Sequence, residues 1–124
     1  MERDMALVRQ ILKEAERADG PLDAAGLVAD GWTFETVAHH VQVMADYSLV
    51  SASVVRDANG EPVRATVRTL TWEGHDFLDA VRDERVWVRV REAVAGSAGS
   101  VAFDTMKRLA GRVAEGLVSV HLGL

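Results

Sequence analysis

Residues 49–70 read LVSASVVRDANGEPVRATVRTL, two strand-like runs about a turn. Its two ends, LVSASVVR (49–56) and VRATVRTL (63–70), are rich in β-branched residues, which favour strands. Between them DANGEP carries an Asn-Gly step flanked by Asp and Pro, a strong hairpin signal. In the second strand Val63, Ala65 and Val67 alternate with Arg64, Thr66 and Arg68, so one face is apolar and the other carries two arginines. A two-stranded hairpin alone is marginal. The flanking segments therefore have to supply its cover.

They read as helices. Upstream, Thr33 is a candidate N-cap, and Phe34, Val37, Val41 and Met44 recur at helical spacing over 33–47. Earlier, Met5, Val8, Leu12 and Ala15, widened by Leu7 and Ile11, mark a first helix that Asp19-Gly20-Pro21 stops. LDAAGLVADGW (22–32) fits a short helix or a short strand equally well. Downstream, Thr71 can cap a helix with Phe77, Leu78 and Val81 inside, and Asp83 can cap another with Val86, Trp87, Val90 and Val94. AGSAGS (95–100) is a break. Ser100 can cap a last helix bearing Phe103, Met106, Leu109, Ala110, Val113 and Leu117, and the tail LVSVHLGL stays apolar.

The order helix, short element, helix, hairpin, helices predicts an α+β fold. Its expected form is a winged-helix-like core over residues 1–81 with a C-terminal helical extension over 82–124. The helix at 33–47 takes the recognition position and the hairpin is the wing. At 124 residues one domain is expected. The apolar stripe from Val86 to Leu117 exceeds what one small core needs, which predicts a homodimer.

Composition narrows function by exclusion. The chain has no cysteine, so disulfides, zinc–cysteine sites and thiol catalysis are absent. The start is amphipathic and mixed in charge, unlike a signal peptide, and no run approaches a membrane span. A cytoplasmic protein is the expectation. The net charge is −5, and residues 21–50 hold four acids and no Lys or Arg.

Three pieces are similar to one known family: MERDMALVRQIL (1–12), VAHHVQVMADYSLV (37–50) and LTWEGHDFLDAVRDERVW (70–87). They resemble the bacterial and phage domain-of-unknown-function family numbered 2513. Its members open on a Lys-Arg-Asp-Met-like start. They carry a histidine in the middle helix before a Gly-Leu-Ile-like step, and then a Leu-Thr-Trp-Glu-Gly-His-like signature. The resemblance covers nearly the whole chain, including the LGL tail. It implies a module of phage or mobile-element type and no particular chemistry. Ser48 departs from the pattern, standing where glycine is common before Leu49 and Val50, and the tail has few lysines. The segment 37–50 also looks like the end of a helix-turn-helix in winged-helix regulators. The His-Leu-x-x-Leu run of those proteins reads His40-Val41-Gln42-Val43-Met44 here. This looser likeness concerns fold alone.

No convergent nucleophile, base and acid emerges, so a non-enzymatic module without cofactor or metal is expected. His75 lies between Gly74 and Asp76, and adjacent helical residues do not face each other. Asp79, four residues on, could reach it, but the expected role is a histidine at the strand-to-helix corner. His39 and His40 point about 100° apart on a helix and cannot share a metal. One is expected half-buried and the other outward. For double-stranded DNA, Thr33, Thr36, His40 and Gln42 are the outward candidates to approach bases, and Arg56, Arg64 and Arg68 the candidates to hold phosphate. Glu35, Asp46 and the lack of Lys or Arg on that helix oppose this. The alternative is a protein–protein interaction module that kept the shape and lost DNA binding. The aromatics Trp32, Phe34, Trp72, Phe77, Trp87 and Phe103 are read as core.

Overall fold

The computed structural model describes residues 1–95, 108–113 and 115–116, and shows a mixed α+β chain. Among these residues the chain forms two compact units, Met1–Asp76 and Phe77–Leu124.

In the first unit, helix α1 spans Met5–Arg17 and presents Leu7, Val8, Ile11 and Leu12 to the core. Strand β1 is only Leu22–Asp23, and a 3₁₀ helix follows over Ala24–Asp30. Both readings of 22–32 are thus realised in sequence. Asp23 accepts the Ala25 N–H and opens the 3₁₀ turn, and Gly31 closes it at φ 102°, a left-handed conformation open to glycine. Helix α2 spans Phe34–Asp46, capped by the Thr33 hydroxyl on the Thr36 N–H. Strands β2 (Val50–Arg56) and β3 (Pro62–Leu70) form the expected hairpin. At its turn the Asp57 carboxylate accepts the Asn59 and Glu61 N–H groups, and Gly60 sits at φ 80°.

The three strands make an antiparallel sheet in the order β1-β3-β2, with Leu22 opposite Val67 and Ala52 opposite Val67 on the other side. Helices α1 and α2 both contact β3, and α2 also contacts β2. Ala65 and Val67 are buried beneath them. The register slips between Ser51 and Ala52, leaving Arg68 as one extra residue on β3. This bulge shifts the alternation, so Val67 and Leu70 both point inward while Arg68 and Thr69 are exposed.

The link from α2 to β2 needs a left-handed residue at position 48. Leu49 N–H donates to Met44 O at 2.9 Å and Ser48 N–H to Ala45 O at 3.0 Å. This double bond pattern ends a helix with one left-handed residue. Here that residue is Ser48, at φ 66°.

Helix α3 spans Trp72–Val81, with Thr71 capping the Gly74 N–H, and leads from the first unit into the second. The second unit continues with α4, Glu84–Ala95, which Asp83 caps through the Arg85 and Val86 N–H groups. Phe77, Leu78, Val81, Val86, Trp87 and Val90 are buried. Residues 108–113 are helical and Ala110 is buried. The break at 95–100, the Ser100 cap, Phe103, Met106, Leu117 and the apolar tail lie wholly or mainly outside the described residues, as does much of the stripe expected to join two copies. Among the described residues no helix is long and apolar enough to cross a membrane.

One aromatic departs from the core reading. Trp72 is 81% exposed, whereas Phe77 and Trp87 are buried and Trp32 and Phe34 intermediate. Trp72 is the first residue of its helix, where the side chain precedes the turn that buries Phe77.

Candidate functional site

Helix α2 is the element the sequence singles out, and its inner stripe comprises Val37, Ala38, His40, Val41 and Met44. His40 is wholly buried. Its Nδ1 lies 2.8 Å from Thr36 O, and its Nε2 accepts the Asp4 backbone N–H at 2.8 Å. A ring that accepts at Nε2 is neutral and carries its proton on Nδ1, which donates to the carbonyl. The outward, base-approaching role expected for His40 is therefore corrected: both ring nitrogens are spent inside the fold. Its position could have revealed this. Residue 40 falls three after Val37 and four before Met44, on the apolar stripe.

What His40 fastens is the start of α1. Asp4 is the N-cap of that helix, and its Oδ1 accepts the Ala6 and Leu7 N–H groups at 3.0 and 3.2 Å. Its other oxygen, Oδ2, accepts the Trp32 indole N–H at 2.9 Å. The first four N–H groups of a helix have no partner within it. In a capping box a Glu at the third position reaches back to the cap residue's own N–H. Leu7 occupies that position here, and His40 does the work from another helix. Burial alone would raise the Asp4 pKa. The indole and the two backbone N–H groups outweigh it and hold the carboxyl below its ordinary value of 3.8. The Arg-Asp-Met start, Trp32 and the middle-helix histidine are thus one structural fastening.

The remaining candidates do not share one surface. Thr36 is half-buried and its hydroxyl accepts from the Thr33 hydroxyl at 2.9 Å. Gln42 donates through Nε2 to Asp46 Oδ1 at 3.0 Å. The outward line of α2 is Glu35, His39, Gln42 and Asp46, spaced four, three and four. Arg56 is exposed near the hairpin turn and donates to Gly60 O at 3.0 Å. His39 is held below its ordinary pKa, first by partial burial, with the positive chain terminus and Arg56 adding to it. Arg56 stands two residues after Val54, which pairs with inward Ala65, so alternation puts it on the α2 side of the sheet. Arg64 is exposed next to buried Ala65, and Arg68 donates to Ser51 Oγ at 3.3 Å from the bulge. Since Ala65 and Val67 face the helices, Arg64 and Arg68 occupy the opposite sheet face.

The 70–76 signature is the corner between sheet and helix. Thr71 N–H donates to Leu49 O at 3.0 Å, and its hydroxyl donates to Ser48 O. Gly74 packs directly on the Leu49 carbonyl, and a Cβ there would strike that oxygen and sit 3.1 Å from its carbon. His75 does not bury itself at the corner. Its side chain is 48% exposed, with Nδ1 3.4 Å from Glu16 Oε2. Asp79 pairs instead with Arg82 at 2.8 Å. Among the described residues no group of three or more His, Cys, Asp or Glu is placed to hold a metal ion.

Residues 2–100 match the model of the family described as "Hypothetical protein (DUF2513)". A protein of Haemophilus influenzae (strain ATCC 51907 / DSM 11121 / KW20 / Rd), named "Uncharacterized protein", is 31% identical over 114 residues, covering 89% of this chain and 92% of its own length. No solved structure matches.

Proposed function

We propose that this chain, which belongs to the DUF2513 family, is a non-enzymatic protein-binding module on a winged-helix-like frame. The element order and the β1-β3-β2 sheet support the winged-helix-like reading. The observation that carries the protein-binding role is the outward line of α2. Glu35 and Asp46 stand at its ends and no Lys or Arg lies between them, while His40 is turned inward. Protein–DNA affinity is dominated by phosphate neutralisation, and two carboxylates on a groove-facing helix work against it. Arg64 and Arg68 cannot compensate from the other face of the sheet.

A DNA-associated regulator of phage or mobile-element type is the second reading, favoured by the same element order. In it Thr36 and Gln42 approach bases and Arg56 holds phosphate. Fluorescence anisotropy against a labelled mixed-sequence duplex at low salt separates the two. The protein-binding reading predicts no salt-sensitive binding. Binding that weakens steeply with added salt and is lost in Arg56→Glu would replace it with the DNA reading.

A further inference from the structure

The corner between sheet and α3 exposes two large aromatic side chains, one at the end of α2 and one at the start of α3. Trp72 is 81% exposed and Tyr47 is 53% exposed. The hydroxyl of Thr71 donates to Ser48 O, so Tyr47 and Trp72 flank one hydrogen bond between the end of α2 and the start of α3. A tryptophan this exposed gives up an aromatic side chain's large burial area. The two segments that frame it, 45–50 and 71–76, hold Asp46, Glu73 and Asp76, all exposed, and no Lys or Arg. Asp46 also accepts from Gln42, which holds its carboxylate at the end of α2. The two segments are tied together: Gly74 is seated on the Leu49 carbonyl, and Thr71 is bonded to residues 48 and 49.

Exposed aromatic faces attract cations through the ring quadrupole, and arginine stacks best because its guanidinium is planar and weakly hydrated. Exposed carboxylates on the same two segments add charge complementarity and disfavour phosphate. Base stacking wants basic residues interleaved with the aromatics, the opposite of this surface. We infer that the Tyr47–Trp72 surface, rimmed by Asp46, Glu73 and Asp76, docks an arginine-bearing segment of a partner protein. The inference rests on the protein-binding reading and locates its surface.

The test is titration of ¹⁵N-labelled full-length protein with a hexa-arginine peptide, followed by NMR. The Trp72 indole and the amides of 46–48 and 71–76 should shift, while the Trp32 indole, bonded to Asp4, stays still. Trp72→Ala, which keeps every charge, should weaken binding about twofold to fivefold, the scale of an exposed cation–π contact. Glu73→Gln with Asp76→Asn should weaken it further and flatten its salt dependence. Unchanged affinity in Trp72→Ala would overturn the inference, since the peptide would then follow net charge alone. So would shifts confined elsewhere, or a Trp72 indole that moves on dilution without peptide, which would make a second copy the occupant. Any of these leaves the protein-binding reading standing, whereas salt-sensitive duplex binding would remove that reading itself.

Discussion

Gly74→Ala sets two effects of opposite sign against each other. On an exposed helix, alanine is better than glycine by about 1 kcal/mol. Here the new methyl would meet the Leu49 carbonyl oxygen, with the carbonyl carbon at 3.1 Å and Leu70 Cβ at 3.5 Å. The obstacle is backbone and cannot swing aside like a side-chain end. Overpacking of this kind costs about 1–3 kcal/mol. The shift it forces also loosens the Thr71 N–H to Leu49 O bond, a further loss of about 1 kcal/mol. Sterics should win, with a net destabilisation of about 1–3 kcal/mol. Gly20→Ala is the matched control, because nothing lies within 4 Å of its added Cβ. Urea unfolding followed by far-UV circular dichroism reads both variants. Gly74→Ala should lower the midpoint clearly with little change in slope, and Gly20→Ala should leave it nearly unmoved. A Gly74→Ala protein as stable as the parent, or more so, would refute the close approach of α3 to the Leu49 carbonyl.

Other outcomes follow from the same structure. His40→Leu leaves the Asp4 N–H without its partner in a buried site and should cost about 2 kcal/mol by urea unfolding. His40→Gln should cost less, because its carbonyl can stand in for Nε2 as acceptor. Ser48→Gly should stabilise by about 0.5–1 kcal/mol, since relief of the left-handed conformation at φ 66° exceeds the entropy that glycine adds to the unfolded chain. The Asp4 carboxyl has its folded pKa below 3.8, so the unfolded chain takes up the proton first as pH falls. Its contribution is full above that value and is lost as pH drops through the lower, folded one. Acid unfolding of Trp32→Phe, which removes one of the bonds lowering that pKa, should show a shallower loss over this range.

The hairpin, the helix α2 with its Thr33 cap and the Thr71 and Asp83 caps are legible in the sequence because local rules decide them. Turn chemistry, period and cap residues act within a few positions. What escapes such reading acts at a distance. The partner of His40 is 36 residues away, and polarity suggests an outward residue where helical spacing places an inward one. The bulge at Arg68 depends on how two strands align, which strand alternation alone does not contain. Trp72 looks like core by type, yet its helix turns Phe77 inward and leaves it outside. The stretches 1–12, 37–50 and 70–87 are separate in sequence but joined in space: the first and second meet at Asp4 and His40, and the second and third at Ser48, Leu49, Thr71 and Gly74.

The middle-helix histidine, His40, fastens the start of α1 from inside the fold. The position of the proton on the His40 ring decides whether that fastening exists. Long-range ¹H–¹⁵N NMR of the imidazoles at neutral pH should show His40 as a single neutral tautomer with its proton on Nδ1, and a cross-hydrogen-bond coupling from the Asp4 amide to Nε2. A His40 ring with the proton on Nε2, or one averaging between tautomers as a solvent-facing histidine does, would contradict the fastening and return His40 to the outward face of α2.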